Sequence, residues 1–108
     1  MSFDEALAEE IRGLLSDQDD VAERRMFGGL TFMVNGNMCC GITSDDLMLR
    51  LGSEGAADAL GERDARPMDF TGKPMKSFVA VTTEGLTESR LEWWVRRAVA
   101  FASALPSK

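Results

Sequence analysis

The chain has 108 residues, of which 44% are hydrophobic and 28% are charged, a composition typical of one globular domain. Eighteen acidic residues against twelve basic ones give a net charge of −6, which opposes the counterion release that drives non-specific nucleic-acid binding. No histidine is present, which excludes histidine-activated nucleophiles and removes the commonest neutral metal ligand. We therefore expect a single domain over residues 1–108, with no metal, no cofactor and no enzymatic activity.

The N-terminal segment and the cysteine content bear on the cellular compartment. Residues 1–5 include acidic side chains where a signal peptide needs basic ones. No apolar run approaches the roughly 20 residues of a spanning helix, and two adjacent cysteines do not make a secreted disulfide framework. The sequence predicts a cytoplasmic protein that has no membrane partner.

The first predicted element is a helix that ends near Ser16. Ser2 and Glu5 form a capping box, in which each side chain satisfies a backbone N–H of the first turn. Apolar residues then recur at helical spacing, at Ala6, Leu7, Ile11, Leu14 and Leu15.

A β-hairpin follows, and its turn is the clearest local signal in the chain. Asn35 and Gly36 lie between two apolar runs, and both accept the positive φ that a two-residue type I′ turn requires. That turn predicts the pairs Val34–Asn37, Met33–Met38, Phe32–Cys39 and Thr31–Cys40. A second tight turn at Asp45 and Asp46 leads into a strand over residues 47–51.

The predicted register assigns the side chains to two faces of the sheet. The main core face, against the first and last helices, is expected to hold Met33, Met38, Cys40, Ile42, Leu47, Leu49 and Leu51. The opposite face then carries the candidate interaction residues Leu30, Phe32, Val34, Met48 and Arg50. A contiguous apolar patch predicts a homodimer or a protein partner, or alternatively a helix or terminal segment of the chain that covers it.

The second half of the chain predicts a short helix, two strands and a long helix. Ser53 caps the short helix, and Gly61 takes the left-handed position after it. Strands over residues 66–70 and 76–83 flank a turn at 71–74. Thr87 caps the last helix, whose buried stripe is Leu91, Trp94, Val95, Ala98, Val99, Ala102 and Leu105. The order α-β-β-β-α-β-β-α predicts a two-layer α+β fold with a mainly antiparallel five-stranded sheet.

Two features leave other functions open. Cys39 and Cys40 point to opposite faces of an ideal strand, and the plain interpretation is that both are buried. If Cys39 is instead exposed beside Arg50, a small thiol enzyme or redox protein is the alternative. Arg24, Arg25, Lys73 and Lys76 form a weak basic patch, which is the second alternative, direct nucleic-acid binding.

The glycines, prolines and apolar residues of the two hairpins also carry a family resemblance. The motif consists of Arg25, Met26, Phe27, Gly28, Gly29, Asn35, Gly36, Phe70, Gly72, Pro74 and Met75. It resembles the N-terminal domain of the TfoX/Sxy competence-regulator family. The resemblance implies an α+β fold similar to secretion chaperones. Competence regulators of this family carry a second, helical C-terminal domain, so a chain that ends at Lys108 is expected to be a stand-alone copy.

The leading functional hypothesis is therefore a non-enzymatic cytoplasmic interaction module. The resemblance implies a link to competence or transcription regulation through protein contacts. The absence of a catalytic constellation beside a two-sided apolar sheet motivates the same hypothesis from the residues alone.

Overall fold

The computed structural model describes residues 5–18, 20–26, 29–43, 46–62, 64–70, 73–84 and 86–105, with backbone alone at 26, 68–70 and 73–75. In chain order the elements are α1 (Glu5–Leu14), β1 (Val21–Met26), β2 (Gly29–Val34), β3 (Asn37–Ile42), β4 (Asp46–Arg50), α2 (Gly52–Ala59), β5 (Ala65–Phe70), β6 (Lys73–Thr82) and α3 (Glu88–Ala104). The predicted α+β class is confirmed.

Over the described residues the sheet has six strands, one more than the sequence pattern predicted. The additional strand is β1, which pairs antiparallel with β2. Its central residues, Glu23, Arg24 and Arg25, are charged and exposed, so it lacks the apolar alternation that marks a strand. The strand order is β1-β2-β3-β4-β6-β5 with every pairing antiparallel, which makes β1 a charged edge.

The predicted turn between β2 and β3 is confirmed. Asn35 and Gly36 have φ values of 54° and 79°, the positive values that a type I′ turn needs at both positions. The first two predicted pairs, Val34 with Asn37 and Met33 with Met38, are also present.

The rest of the predicted register is wrong, because the β2–β3 ladder is irregular between Phe32 and Met33. Phe32 pairs with Cys40 instead of Cys39, and Thr31 pairs with Gly41 instead of Cys40. The extra residue is Cys39 in β3, which lies between the partners of Phe32 and Met33. Because side chains alternate with period two, it places all of β2, and Met38 on β3, on the opposite face from the one predicted. Met33 and Met38, which were expected in the core, therefore lie outside the core cluster.

The exchange overturns the predicted position of three candidate interaction residues. Leu30, Phe32 and Val34 were expected opposite the core, but they are 5%, 0% and 1% exposed and belong to the core cluster. The pairings Phe32–Cys40, Cys40–Leu49 and Leu49–Val79 place these residues in one row across the sheet. The prediction that Ile42, Leu47, Leu49 and Leu51 are core residues is confirmed.

The three helices cover this face of the sheet and complete a two-layer core. α3 contributes a stripe in which Trp94 is fully buried, as the spacing predicted, whereas Val99 of the predicted stripe is only half-buried. α3 packs on β2, β3 and β4, α2 packs on β6, and α1 contacts α3. Leu7, Ala8, Ile11 and Leu15 join the same cluster.

The helix ends agree with the sequence in part. The Thr87 side chain accepts a hydrogen bond from the Arg90 N–H at 3.2 Å, so the cap of α3 is confirmed. The cap at Ser53 is wrong, because α2 begins one residue earlier and its N-cap position is Leu51. The positive φ also lies at Gly52 instead of Gly61. The predictions that involve Ser2, Asp45 and residues 71–72 lie outside the described residues.

Candidate interaction surface

The two cysteines lie inside the core, which removes the premise of the thiol alternative. Cys39 is 0% exposed and Cys40 is 1% exposed, and both are free thiols. A hydrogen bond with the Cys39 thiol raises the pKa of Cys40 well above its usual value, and burial raises it further. A thiol with a raised pKa is a poor nucleophile, so Cys40 is not activated.

Met48, another candidate interaction residue, lies on the face of the sheet away from the helices, here called the back face. Arg50, the last of the five, is half-buried, and its guanidinium group reaches α3. Met48 is only 2% exposed and packs with Ala80, while Met38 and Phe78 contact the pair. The Arg50 guanidinium carbon lies 5.6 Å from the centre of the Phe101 ring. The back face therefore exposes little apolar area around Met48.

Three of the four residues of the predicted basic patch can be placed, and they lie apart from one another. Arg24 and Arg25 are consecutive in β1, so their side chains leave opposite faces of the strand. Lys76 is exposed on β6, four strand positions away, which is about 19 Å at the usual spacing. The side chain of Lys73 lies outside the described residues. Arg24, Arg25 and Lys76 therefore do not form one continuous basic surface.

On the surface of α3, a stack of cationic and aromatic side chains surrounds Trp93. The guanidinium carbons of Arg90 and Arg97 lie 4.5 and 4.6 Å from the centre of its ring. Both distances are within the range of cation–π attraction. The three residues are spaced i−3 and i+4 along the helix, which is the signal in the sequence that could have predicted the stack.

The same stack anchors α3 to the loop between α2 and β5. Arg90 Nη2 lies 3.1 Å from Glu62 Oε1 and 3.1 Å from Asp64 Oδ1, and the Trp94 indole N–H donates to Asp64 Oδ2 at 3.5 Å. Burial opposes ionisation of Asp64, but the hydrogen bond from Arg90 and those from its own backbone and Trp94 prevail and lower its pKa. In this network Arg90 and Trp94 of α3 both bind the loop, so it holds the helix against the α2–β5 connection.

A groove lies between α1 and α3. Its central cavity has a volume of about 470 Å³ and lies between Glu10 and Leu14 of α1 and residues 88–92 of α3. A second cavity of about 150 Å³ shares Glu10 with it and extends toward Leu86. A third, of about 160 Å³, shares Leu14 with it. The three neighbouring cavities share these lining residues along α1 and α3, and together they are here called the α1/α3 groove.

The floor of the α1/α3 groove is apolar and only partly covered. Leu14, Leu86 and Val99 are half-buried and pack against the core, whereas Leu91 and Val95 are 2% and 1% exposed. The half-buried side chains can lose further exposed area when something packs on them, which is the source of hydrophobic binding energy.

The rim of the groove is acidic at one end. Glu10 and Glu88 line the central cavity, and among the described residues neither has an ion-pair partner. Glu92 pairs with Arg96 one turn later at 2.7 Å. Arg96 itself lines the third cavity, so the positive charge lies at the opposite end from Glu88.

Comparison with known protein families gives a match for this chain. The family model of the TfoX N-terminal domain matches residues 13–102 of the 108. The chain belongs to the TfoX N-terminal domain family. The match includes all six strands, α2 and most of α3 of this TfoX N-terminal domain, but only the last two residues of α1.

The position of Gly29 explains why this motif residue of the TfoX N-terminal domain is a glycine. A Cβ at Gly29 would collide with the Ile42 carbonyl oxygen, so no larger residue fits there without moving the backbone. Phe27, Gly28 and Gly72 lie outside the described residues, as do the side chains of Met26, Phe70, Pro74 and Met75.

The comparison with curated proteins and that with solved structures each gave no significant match. In the described part of the chain, no helix is long and apolar enough to cross a membrane, and no three cysteine or acidic side chains group as a metal site.

Proposed function

We propose that this TfoX N-terminal domain is a non-enzymatic cytoplasmic regulatory module that binds a protein partner in the α1/α3 groove. Family membership supports a competence-related regulatory module. The observation that carries the proposed binding surface is the elongated groove with its half-buried floor at Leu14, Leu86 and Val99. The buried free thiols agree with a reducing compartment.

The groove is a better candidate than the back face of the sheet. Met48 and Ala80 are already 2% and 6% exposed there, so a partner would remove little more of their surface from water. The groove leaves three large side chains half-buried and is long in one direction. A long, narrow, apolar depression suits a peptide segment better than a compact small molecule.

Site-specific photo-cross-linking in the native cell tests the proposed surface. A photoreactive residue replaces Ala100, which is exposed and lines one end of the groove, and a control replaces exposed Glu54 on α2. We expect a discrete protein adduct from position 100 and none from position 54. Adducts at both positions, or at neither, would contradict the groove as the binding surface.

A complementation experiment tests the regulatory role. Deletion of the gene that encodes the protein should change the expression of competence genes, and a copy encoding the wild-type chain should restore normal expression. The double variant Glu10→Lys with Glu88→Lys, which reverses two exposed charges of the rim, should fail to restore it at equal abundance. Full restoration by that variant would exclude a role for the groove in regulation.

A further inference from the structure

We infer that the partner segment in the α1/α3 groove is a basic amphipathic helix of about three turns. Its apolar side chains would pack on Leu14 and Val99, and its cationic side chains would lie beside Glu10 and Glu88. This inference rests on the proposed function and adds the chemical class of the partner. Helix-in-groove docking is a recurrent form of peptide recognition.

The shape of the groove fits a third helix. Leu7 lines it together with Leu86, whereas Leu14 lines it together with Val95 and Val99, so α1 and α3 run in the same direction. Along α3 the groove extends from residue 88 to residue 100, which is about 18 Å at 1.5 Å per residue. A docked helix of about 12 residues spans that length, and its residues at i, i+3, i+4 and i+7 would face the floor.

The charges of the rim favour a cationic partner and also set its orientation. Glu10 and Glu88 have no ion-pair partner within the described chain, while Arg96 lies toward the other end of the groove. Exposed ion pairs add little affinity, but they steer association and fix register. The basic residues of the partner helix are therefore expected at the end that meets the start of α3.

The same charges argue against two other occupants. A second copy of the chain carries a net charge of −6, so it would bring an acidic surface against an acidic rim. A nucleic acid would meet the same repulsion from Glu10, Glu88 and Glu92. A basic helix is the occupant whose charge complements this groove.

Two designed peptides of equal length and equal apolar pattern test the inference. One is a fluorescein-labelled 14-residue Leu/Lys amphipathic helix, and the other has Glu in place of every Lys. Fluorescence anisotropy at low and at moderate salt measures binding to the intact protein. We expect the Leu/Lys peptide to bind at least tenfold more tightly than the Leu/Glu peptide, and its affinity to fall as salt rises. Equal binding of the two peptides would overturn the inference.

A matched pair of variants shows whether binding is in the groove or is general attraction to an acidic protein. Glu88 and Glu54 both lie in the first turn of a helix, and both are exposed, but only Glu88 lines the groove. Glu88→Lys should weaken Leu/Lys binding at least fivefold, whereas Glu54→Lys should change it less than twofold. Similar losses in the two variants would overturn the inference. Thermal unfolding of both variants verifies that they are folded.

Failure of this inference differs measurably from failure of the proposed function. A protein cross-linked at position 100, together with equal binding of the two peptides, would overturn the basic helix and leave the proposed function in place. A wild-type dimer in sedimentation that dissociates in Glu88→Lys would assign the groove to a second copy and overturn the inference. Restoration of gene expression by the double variant would refute the proposed function itself.

Discussion

The Arg12 guanidinium donates two hydrogen bonds to the Glu23 carboxylate, from Nε at 2.7 Å and from Nη2 at 2.8 Å, and so fastens α1 to β1. The pair joins two elements that have few other contacts, since α1 otherwise packs mainly on α3. Because α1 forms one wall of the α1/α3 groove, the pair also fixes the position of that wall. The hydrogen bond from Arg12 lowers the pKa of Glu23.

Replacement of Glu23 by Gln should loosen α1 without unfolding the sheet. The carboxylate is the charged acceptor for Arg12, and its lowered pKa means that it favours the native state at pH values above its unfolded pKa of about 4.3. That contribution is lost as the pH falls through the lowered native pKa. In hydrogen exchange, amides of residues 7–14 should therefore lose protection in acid in the wild type. In Glu23→Gln their protection should already be reduced at neutral pH and change less in acid.

The control for this experiment is Glu9→Gln, which removes a second, more exposed partner of Arg12 on α1 itself. Protection of α1 should change less in Glu9→Gln than in Glu23→Gln, because Glu9 does not connect α1 to the sheet. An equal effect of the two variants would show that the link between Arg12 and β1 is unimportant.

Truncation of Leu49 should destabilise the protein strongly. Leu49 is 0% exposed, and its strand neighbours Cys40 and Val79 belong to the same core cluster. Leu49→Ala should lower the free energy of unfolding by about 2–5 kcal/mol, the usual range for a buried leucine, as measured by urea denaturation. Leu60→Ala is the control, because Leu60 is 42% exposed and should change stability by less than about 0.5 kcal/mol. A loss under about 1 kcal/mol in Leu49→Ala would contradict this core.

Phe32 lies in the same row of the sheet as Leu49. At an exposed interface Phe32→Glu would give a folded monomer, but at this buried position it should prevent folding. A charge at a position that is 0% exposed has no partner and no water, so the variant should fail to fold. A folded monomer of Phe32→Glu, identified by circular dichroism and sedimentation, would show instead that Phe32 lies at an interface between copies.

Local features were predicted correctly where the residues present favour a single local structure. Asn35 and Gly36 required a tight turn, and Thr87 between Leu86 and Leu91 required a helix cap, and both are present. The irregularity at Phe32 was not predictable from the pattern. Cys39, Cys40 and Gly41 are small enough for either face of a strand, so a shift by one residue left no mark on the apolar alternation.

The α1/α3 groove could not be predicted from the sequence for a different reason. The α1/α3 groove joins Glu10 and Leu14 to residues more than 70 positions later in the chain. Its walls depend on how two helices pack on one sheet, and the spacing of either helix alone carries no such information. The stack around Trp93 could be predicted only in part. The helical spacing of Arg90 and Arg97 indicates that both lie beside Trp93, but nothing in the sequence indicates that Arg90 pairs with Glu62 and Asp64.

The thiols of the native protein should be unreactive. Cys39 and Cys40 are buried, and the hydrogen bond with Cys39 together with burial raises the pKa of Cys40. A thiol reagent such as 5,5′-dithiobis(2-nitrobenzoic acid) should therefore react with both cysteines no faster than local or global unfolding exposes them. Urea should accelerate the reaction steeply near the unfolding midpoint. Cys39→Ser should not expose a fast-reacting Cys40, and a rapid reaction of either thiol in the native wild type would restore the redox alternative.

Removal of the Asp64 carboxylate should destabilise the packing of α3 against the α2–β5 loop. Asp64 accepts hydrogen bonds from Arg90 and from the indole N–H of Trp94, and Trp94 is 0% exposed. Asp64→Ala leaves that indole N–H without an acceptor, which costs about 1–3 kcal/mol in the free energy of unfolding. Asp64→Asn retains an acceptor oxygen and should lose less, while Asp58→Ala should have little effect because Asp58 is 81% exposed and 3.6 Å from Arg97. Thermal and urea unfolding of the three variants would give this order, and equal losses in Asp64→Ala and Asp58→Ala would contradict an anchoring role for Asp64.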